Sequence, residues 1–408
     1  MTERRLRDLM LAGGIDSLGL AFGWTVVNLL AVYRHGLAGV GDLNAALLCG
    51  VAISAPVTRW LTRRFDGREV LLLTAAAESV LRAATLLLLF WQAPLALVML
   101  TAFASYVFAW SGYAGMRAEI AAVRRDASGI SRFVAMIVAV EAVGASFAAL
   151  IPMSSSGVVA TWWVGIVAAL YAGSLLPTVI VATGSQVPRA VRAVGNAVRL
   201  RRGALLAGAA VMMLGSGPTL LFVGLGARLQ GRTSVVGGAI AFAVGSLLSA
   251  PLVARVQRTS GSSRATWPLW AVGMVIGWVL APWSVAGFWL AQLLSGVCFT
   301  GFEAAMDHQV AVESAAGEAT AELAQASAAR ALGSATAVRL LPVFVTPAAL
   351  TGFAAVATGL GVVGCLVVLA RRLPAGALRQ PDRIVGPERA GGRATVAGAV
   401  GLARRLDP

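Results

Sequence analysis

The sequence predicts an all-α membrane protein in which roughly twelve transmembrane helices form two pseudo-symmetric six-helix bundles. The first observation is composition, since 58% of the 408 residues are hydrophobic and only 12% are charged, whereas soluble domains are about 45–50% apolar and about 25% charged. The second is a series of apolar runs of about 20 residues, the length of a helix that crosses a bilayer. The third is an internal repeat whose period is close to half the chain.

The repeat relates residues in the first half of the chain to residues in the second half. Gly36 and Gly231 lie 195 residues apart, and the Ser-Ala-Pro tripeptides at 54–56 and 249–251 keep the same spacing, as do Gly50 and Gly245. Farther along, the spacing becomes 189, as between Gly112 and Gly301. Loops of different length explain the change. Repeats of this kind allow secondary transporters to build a site between two halves.

The apolar runs predict the helical spans in order, because in hydrocarbon only a helix satisfies its own backbone polar groups locally. Spans 1 to 6 are predicted at 10–32, 38–58, 70–91, 94–116, 131–152 and 157–183. Spans 7 to 12 are predicted at 203–226, 233–254, 266–283, 285–306, 323–346 and 349–370.

The chain divides accordingly into four parts. Residues 1–184 are the predicted first half, 185–202 a basic cytoplasmic linker, and 203–372 the second half. Residues 373–408 are rich in Gly, Pro and Arg and predict a disordered cytoplasmic tail. The arginines of this tail are either simply solvated or in contact with anionic lipid.

The distribution of arginine predicts the orientation in the membrane. The net charge of +15 would suit a nucleic-acid partner, but the arginines lie in alternate segments between spans, and such segments face the cytoplasm. We therefore predict a lipid bilayer rather than a nucleic acid as the partner, and a multi-pass protein of the inner cell membrane with both termini cytoplasmic. The basic segments contain Arg4, Arg5 and Arg7, then Arg59, Arg63, Arg64 and Arg68, then Arg117, Arg124, Arg125 and Arg132, and finally Arg189, Arg192, Arg199, Arg201 and Arg202.

The segment between spans 2 and 3 carries a recognisable charge pattern. Residues 59–71 read Arg-Trp-Leu-Thr-Arg-Arg-Phe-Asp-Gly-Arg-Glu-Val-Leu. This segment resembles the loop signature of the major facilitator superfamily, Gly-x-Leu-Ala-Asp-Arg-x-Gly-Arg-Arg. The residues that match a common variant of it are Leu61, Arg64, Phe65, Asp66, Arg68, Val70 and Leu71. At two positions the segment departs from the signature, since Arg59 replaces the usual Gly and Arg63 the usual Asp. The resemblance implies a monomeric secondary transporter that works by alternating access.

Two further segments are similar to the drug and siderophore exporters of that superfamily. Residues 15–19 of span 1 read Ile-Asp-Ser-Leu-Gly, and residues 78–82 of span 3 read Glu-Ser-Val-Leu-Arg. The exporter pattern Gly-Pro-x-x-Gly-Gly of span 5 is degraded here to Gly-Ala-Ser-Phe-Ala-Ala at 144–149. The resemblance implies proton-coupled efflux of a small amphiphilic compound such as a drug, an antibiotic or a secondary metabolite. The alternatives are metabolite uptake by proton symport and a membrane sensor or assembly protein that kept the fold.

Acidic residues inside apolar spans are candidates for proton coupling, because a charge at the bilayer centre costs about 2.5–3.5 kcal/mol and normally pairs or lines a wet cavity. Asp16 and Glu141 are the two candidates. The alternative for Asp16 is a bond to the backbone near the helix end. Arg330 occupies the position equivalent to Glu141 in the repeat, so the two could face each other across the cavity. Glu141 then either takes up a proton or binds a cationic substrate, or it forms a fixed pair with Arg330 that only locks the halves together.

Three other buried charges are candidates for the same cavity. Glu78 and Arg82 are four residues apart in span 3, so they can pair on one helix face. This pair either has a structural role only or takes part in transport. Glu303 in span 10 is the third cavity charge, alongside Arg330.

Four aromatic residues are candidates for the wall of the cavity. Trp24 lies on span 1, and Tyr106, Trp110 and Tyr113 lie on or next to span 4. Aromatic walls suit flat or amphiphilic ligands and also cations. The alternative for each ring is packing or contact with lipid.

Opposite charges mark two segments that the repeat makes equivalent. The segment between spans 4 and 5 is basic and the segment between spans 10 and 11 is acidic. We predict that they meet as a cytoplasmic gate in the outward-facing state; the alternative is that they are solvated loop residues. The gate candidates are Arg117, Arg124 and Arg125 on one side and Asp307, Glu313, Glu318 and Glu322 on the other.

Signatures of enzymes and metal sites are missing from the sequence. The only histidines, His35 and His308, are far apart, and the three cysteines lie inside apolar runs without metal-ligand spacing. No phosphate loop or Ser-His-Asp set is present. The sequence therefore predicts a protein that is not an enzyme, with no cofactor and no metal, and with protons and a small-molecule substrate as its ligands.

The arginine pattern leads to a test of topology. Reporter domains fused after residue 202 and at the C-terminus are both expected on the cytoplasmic side. Reporter activity in whole cells measures this directly. An external signal from either fusion would contradict the predicted even number of crossings.

Overall fold

The computed structural model describes residues 2–123, 127–151, 161–189, 213–260, 267–313, 319–344 and 346–370. Across these ranges the regular structure is helical and contains no strand. Residues 1–371 form one compact unit. The predicted tail lies outside the described residues, as does the linker from residue 190 onward.

The helices of the first half follow the predicted spans, and each helix keeps the number of the span that it covers. Spans 1 and 2 are two arms of Thr2–Arg64, which is interrupted at Gly36. Spans 3, 4 and 5 are Gly67–Phe90, Leu95–Val123 and Ala127–Ala149. The described part of span 6 consists of two consecutive helices, Thr161–Gly173 and Leu176–Ala182.

The second half is described in the same way. The described part of span 7 consists of the 3₁₀ turn Met213–Ser216 and the short helices Gly217–Leu220 and Phe222–Leu229. Span 8 is Arg232–Ser260, span 9 is Trp267–Leu280 followed by the 3₁₀ turn Ala281–Trp283, and span 10 is Val285–Glu313. Span 11 is Ala319–Leu340 with the 3₁₀ turn Leu341–Val343, and span 12 is Pro347–Ala370.

Seven of the helices in these ranges are long and apolar enough to cross a membrane, with Thr2–Arg64 counted once. Two shorter apolar helices cover Trp267–Trp283 and Ala348–Gly364. An all-helical, multi-pass membrane fold is therefore confirmed. The number twelve and the division into two bundles of six remain predictions.

The repeat reappears in the backbone at the turn between the first two spans of each half. Gly36 and Gly231, the equivalent pair, are the two glycines with positive φ in the described part of the chain, at 67° and 82°. Gly36 combines this φ with a ψ of −170°, a region that is essentially restricted to glycine. The chain thus reverses direction at the same place in both halves.

The repeat also governs how closely the helices pack. A Cβ on Gly50 of span 2 would collide with the carbonyl oxygen of Phe103 in span 4. A Cβ on Gly245 of span 8 would likewise collide with the carbonyl oxygen of Leu293 in span 10. Small residues allow such close contact between membrane helices, so both halves bring the same pair of helices together in the same way.

The segment with the loop signature caps the N-terminus of the helix of span 3. Asp66 caps span 3 by accepting a hydrogen bond from the Glu69 amide at 2.9 Å, and the Glu69 carboxylate accepts one from the Asp66 amide at 3.1 Å. This reciprocal arrangement is a capping box. Arg63, Arg64 and Arg68 are exposed.

The backbone at Gly36 generates a stability prediction. Replacing Gly36 by Ala is expected to destabilise the protein by about 1–3 kcal/mol, because a side chain is strained at this φ and ψ. The matched control is Gly165→Ala in span 6, where the new Cβ also meets nothing within 4 Å and alanine favours the helix. Thermal unfolding in detergent compares the two variants. If both retain the parent midpoint, the Gly36 conformation is not a constraint on stability.

Candidate functional site

A cavity of about 260 Å³ lies between the two halves. It is slightly smaller than the range of about 300–1,000 Å³ typical of ligand pockets. Its wall contains all four aromatic residues that the sequence singled out, and the acids proposed for proton coupling. The lining includes Asp16, Trp24, Glu78, Arg82, Tyr106, Trp110, Tyr113 and Glu141 from the first half and Phe222, Phe242, Phe299 and Glu303 from the second half.

Contacts join the two halves at both ends of this cavity. At the end where spans 2 and 4 finish, here called the basic end, Arg117 pairs with Asp307. At the opposite end, Arg339 pairs with Asp42 at 2.8 Å, and Gly41 lies directly against Pro342. The halves therefore enclose the cavity between two sets of contacts.

One charge cluster lies entirely in the first half and has Arg82 at its centre. Arg82 is fully buried, and it donates hydrogen bonds to Glu78, to the Tyr171 carbonyl at 3.1 Å and to Ser174 Oγ at 3.0 Å. Its Nη2 also lies 2.8 Å from Asp16 Oδ1 as an ion pair. The cluster joins spans 1, 3 and 6. Two carboxylates thus share one guanidinium group.

The structure clarifies two of the sequence alternatives at this cluster. The Glu78–Arg82 pair inferred from their spacing is present. Asp16, in contrast, pairs with Arg82 rather than with the backbone near the end of its helix. Sequence reasoning missed Tyr171 and Ser174 because a carbonyl group and a serine within an apolar span carry no distinctive signal.

A second cluster contains Arg330, but its partners differ from the expected one. Arg330 donates to Asp307 Oδ1 at 2.9 Å and to Glu303 Oε1 at 3.0 Å. It therefore pairs with acids of its own half, and the alternative of a fixed pair with Glu141 is not the arrangement in this structure. The missed signal is that Glu303 and Asp307 are four residues apart on span 10, so two carboxylates on one helix face require a shared base.

Glu141 has no polar partner among the residues that the structure describes. Its carboxylate lines the cavity and forms no hydrogen bond or ion pair with any residue in the described ranges. Span 5 supplies no base near it, and Arg330 is occupied elsewhere. A carboxylate that lines a cavity and has no base paired with it is the kind of group that binds a proton or a cation.

The gate candidates that the structure describes lie on helices rather than in solvated loops. Arg117 and Asp307 are both 0% exposed, because the helices of spans 4 and 10 extend beyond their predicted ends to Val123 and Glu313. Glu322 is also buried, in the first turn of span 11. Arg124, Arg125 and Glu318 lie outside the described residues, and so does the side chain of Glu313.

A buried polar cluster that the sequence did not reveal lines the cavity toward the opposite end. Asn44 donates to Asn28 Oδ1 at 2.7 Å, and Trp24 Nε1 donates to Asn44 Oδ1 at 3.3 Å. The ring of Trp24 lies 5.3 Å from that of Tyr106. The two asparagines in apolar spans were the available signal.

The start of the linker is bound to the basic end by another acid that sequence reasoning passed over. Glu119 is 1% exposed and accepts hydrogen bonds from Ser185 Oγ and from the amides of Gln186 and Val187. It also lies 3.7 Å from Arg5. This contact attaches the linker to spans 1 and 4.

The two kinds of ion pair lead to a stability prediction. Arg82→Met is expected to destabilise the protein by about 3–5 kcal/mol, because it leaves buried carboxylates uncompensated. Arg339→Met removes a pair whose side chains are 58% and 31% exposed, so a loss of about 0–1 kcal/mol is expected. Thermal unfolding in detergent measures both. Equal losses in the two variants would contradict the role of burial.

Comparison with known proteins identifies the fold. No protein-family model matches the chain, and no curated protein matches its sequence. The human organic anion transporter MFSD10 (TETRAN) is similar in structure, with a TM-score of 0.65 at 14% identity, and the match covers 90% of this chain and 99% of that chain. The nucleoside transporter NupG gives 0.62 at 10% identity, covering 90% and 99%. A bacterial homologue of the iron transporter ferroportin in the outward-facing state gives 0.59 at 14% identity, covering 90% and 98%. The resemblance read from the loop signature is thus confirmed at the level of the fold, and the chain has the fold of the major facilitator superfamily transporters.

Proposed function

We propose that the protein is a secondary transporter that exports a small amphiphilic compound in exchange for protons. The observation that carries this proposal is the excess of carboxylates around the cavity. Four acids, Asp16, Glu78, Glu141 and Glu303, belong to the described lining, whereas Arg82 is its one basic residue and is already paired with Asp16 and Glu78. A cavity with more acids than bases favours cations and can store protons.

The walls of the cavity support an amphiphilic solute. Trp24 and Tyr106 form one aromatic pair in the first half. In the second half the rings of Phe222 and Phe242 are stacked, with their centroids 6.5 Å apart. Aromatic faces attract cations as well as apolar groups. The anions, iron and nucleosides for which the similar transporters are named belong to those proteins, whereas the charge of this cavity favours an organic cation.

Competition for the same carboxylates explains how solute and protons are exchanged. A carboxylate that holds a proton is neutral, so it attracts a cationic solute weakly. When the proton leaves, the negative charge returns and the solute binds. Asp16, which shares Arg82 with Glu78, and Glu141, which has no base, are the proposed carriers.

The contacts at the two ends of the cavity support alternating access. Transport requires that the halves part at one end while they stay in contact at the other. The Arg117–Asp307 contact closes the basic end, and the Asp42–Arg339 contact closes the opposite end. The arginine pattern assigns the basic end to the cytoplasm.

Neutralising the proposed carriers tests this function. Purified protein in lipid vesicles with an imposed pH gradient is assayed with ethidium, a fluorescent amphiphilic cation. Glu141→Gln and Asp16→Asn are each expected to abolish transport driven by the gradient and to leave ethidium exchange at equal pH partly intact. The matched control is Asp8→Asn, since Asp8 is an acid on the same helix as Asp16 whose side chain is 41% exposed.

The direction of the response separates the alternatives. Ethidium movement opposite to the proton flux supports exchange, whereas movement with the proton flux indicates symport. No movement in the parent protein would indicate a sensor or assembly protein. Full activity driven by the gradient in both variants would exclude Asp16 and Glu141 as the carriers.

A further inference from the structure

Four charged residues form a continuous chain of alternating sign at the basic end of the cavity. Glu303 accepts a hydrogen bond from Arg330 at 3.0 Å, and Arg330 also donates to Asp307 at 2.9 Å. The other oxygen of Asp307 accepts a hydrogen bond from Arg117. Ser327 lies at the centre and accepts from Arg117 at 2.9 Å and from Arg330 at 3.3 Å.

The chain connects the cavity to the contact between the halves. Glu303 lines the cavity, whereas Asp307, one turn farther along the same helix, does not. Arg117 belongs to span 4 of the first half, and the other three residues belong to spans 10 and 11. None of the four is more than 5% exposed.

The charges of the chain balance only while Glu303 is ionised. Two carboxylates then offset two guanidinium groups. If Glu303 becomes neutral, Arg117 and Arg330 share the single carboxylate of Asp307 in a buried site. An uncompensated buried charge is strongly unfavourable. The structure can relieve it by separating Arg117, which lies on the other half, and exposing it to water.

We propose that Glu303 is a cation-binding site of the cavity, and that one positive charge there, a proton or the cationic group of a solute, releases the contact between the halves at the basic end. The assignment rests on the proposed function only in treating the cavity as the solute site. Its test follows the distance between helices rather than transport, so either proposal can fail without the other.

Other charged groups near Glu303 must be separated from it in any such test. Arg330 faces it from span 11, Asp307 is on its own helix, and Glu141 faces it from span 5. Arg117 and Tyr113 approach from span 4. Because Glu141 also lines the cavity, a pH response alone does not identify Glu303, and a variant at that position is required.

Spin labels on the two halves measure the contact directly. In a background with Cys49, Cys298 and Cys365 replaced by Ala, labels are placed at Ala122 and Leu252, which are exposed near the basic ends of spans 4 and 8. Pulsed electron-spin distance measurements are made in lipid nanodiscs. We expect Glu303→Gln to raise the ratio of separated to closed distances by about tenfold or more, since it leaves one buried charge uncompensated.

Two further variants distinguish charge from side-chain shape. Glu303→Asp keeps the charge and is expected to keep the parent distance distribution. The double variant Glu303→Gln with Arg330→Met leaves Arg117 and Asp307 as a neutral pair, so the distances are expected to return to the closed value. The proposal is overturned if Glu303→Gln matches the parent, or if the double variant stays as separated as the single one.

Two conditions identify the source of the positive charge. Lowering the pH without a solute tests the proton, and adding tetraphenylphosphonium at constant high pH tests an organic cation. A shift toward long distances in the parent that is lost in Glu303→Gln assigns the effect to Glu303. If neither condition shifts the parent, or if the shift persists in Glu303→Gln, Glu303 is not the site.

Discussion

The high cost of burying an unpaired charge governs the interior of this protein. Arg82 and Arg117 are 0% exposed and Arg330 is 4% exposed, in a chain whose other interior residues are mostly aliphatic and aromatic. In such surroundings each guanidinium group must find carboxylates and further acceptors. The positions of Asp16, Glu78, Glu303 and Asp307 follow from that requirement, because each is a partner of one of these arginines.

The two charge clusters join different sets of helices. The Arg82 cluster joins spans 1, 3 and 6 and lies within the first half, so it stabilises that half as a unit. The second cluster holds spans 10 and 11 together and extends through Arg117 to span 4, so it crosses between the halves. One network therefore lies within the first half, and the other lies where the two halves meet. Acids of both clusters lie in the wall of the cavity, Asp16 and Glu78 from the first and Glu303 from the second.

Glycine permits the close approach that these polar contacts need. The equivalent residues Gly50 and Gly245 allow span 2 to touch the backbone of span 4 and span 8 to touch that of span 10. The contact at Gly245 positions span 10, the helix that carries Glu303 and Asp307. The association of apolar helices in lipid depends on such packing rather than on hydrophobic burial. The distances within the charge clusters thus depend on the positions of the small residues, because these set how closely the helices approach.

The sequence by itself determined the membrane setting, the helical segments and the repeat, because composition, apolar run length and residue spacing act locally along the chain. It also predicted the Glu78–Arg82 pair, since both residues lie on one helix face. It did not predict the partner of Arg330, and it placed Arg117 and Asp307 in loops, because apolar run length does not show how far a helix continues past its apolar part. Only the tertiary structure decided which helix faces meet. The rotation and depth of each helix depend on contacts with all of its neighbours, so the pairing of Arg330 with Glu303 and Asp307, and the isolation of Glu141, appear only after the helices pack.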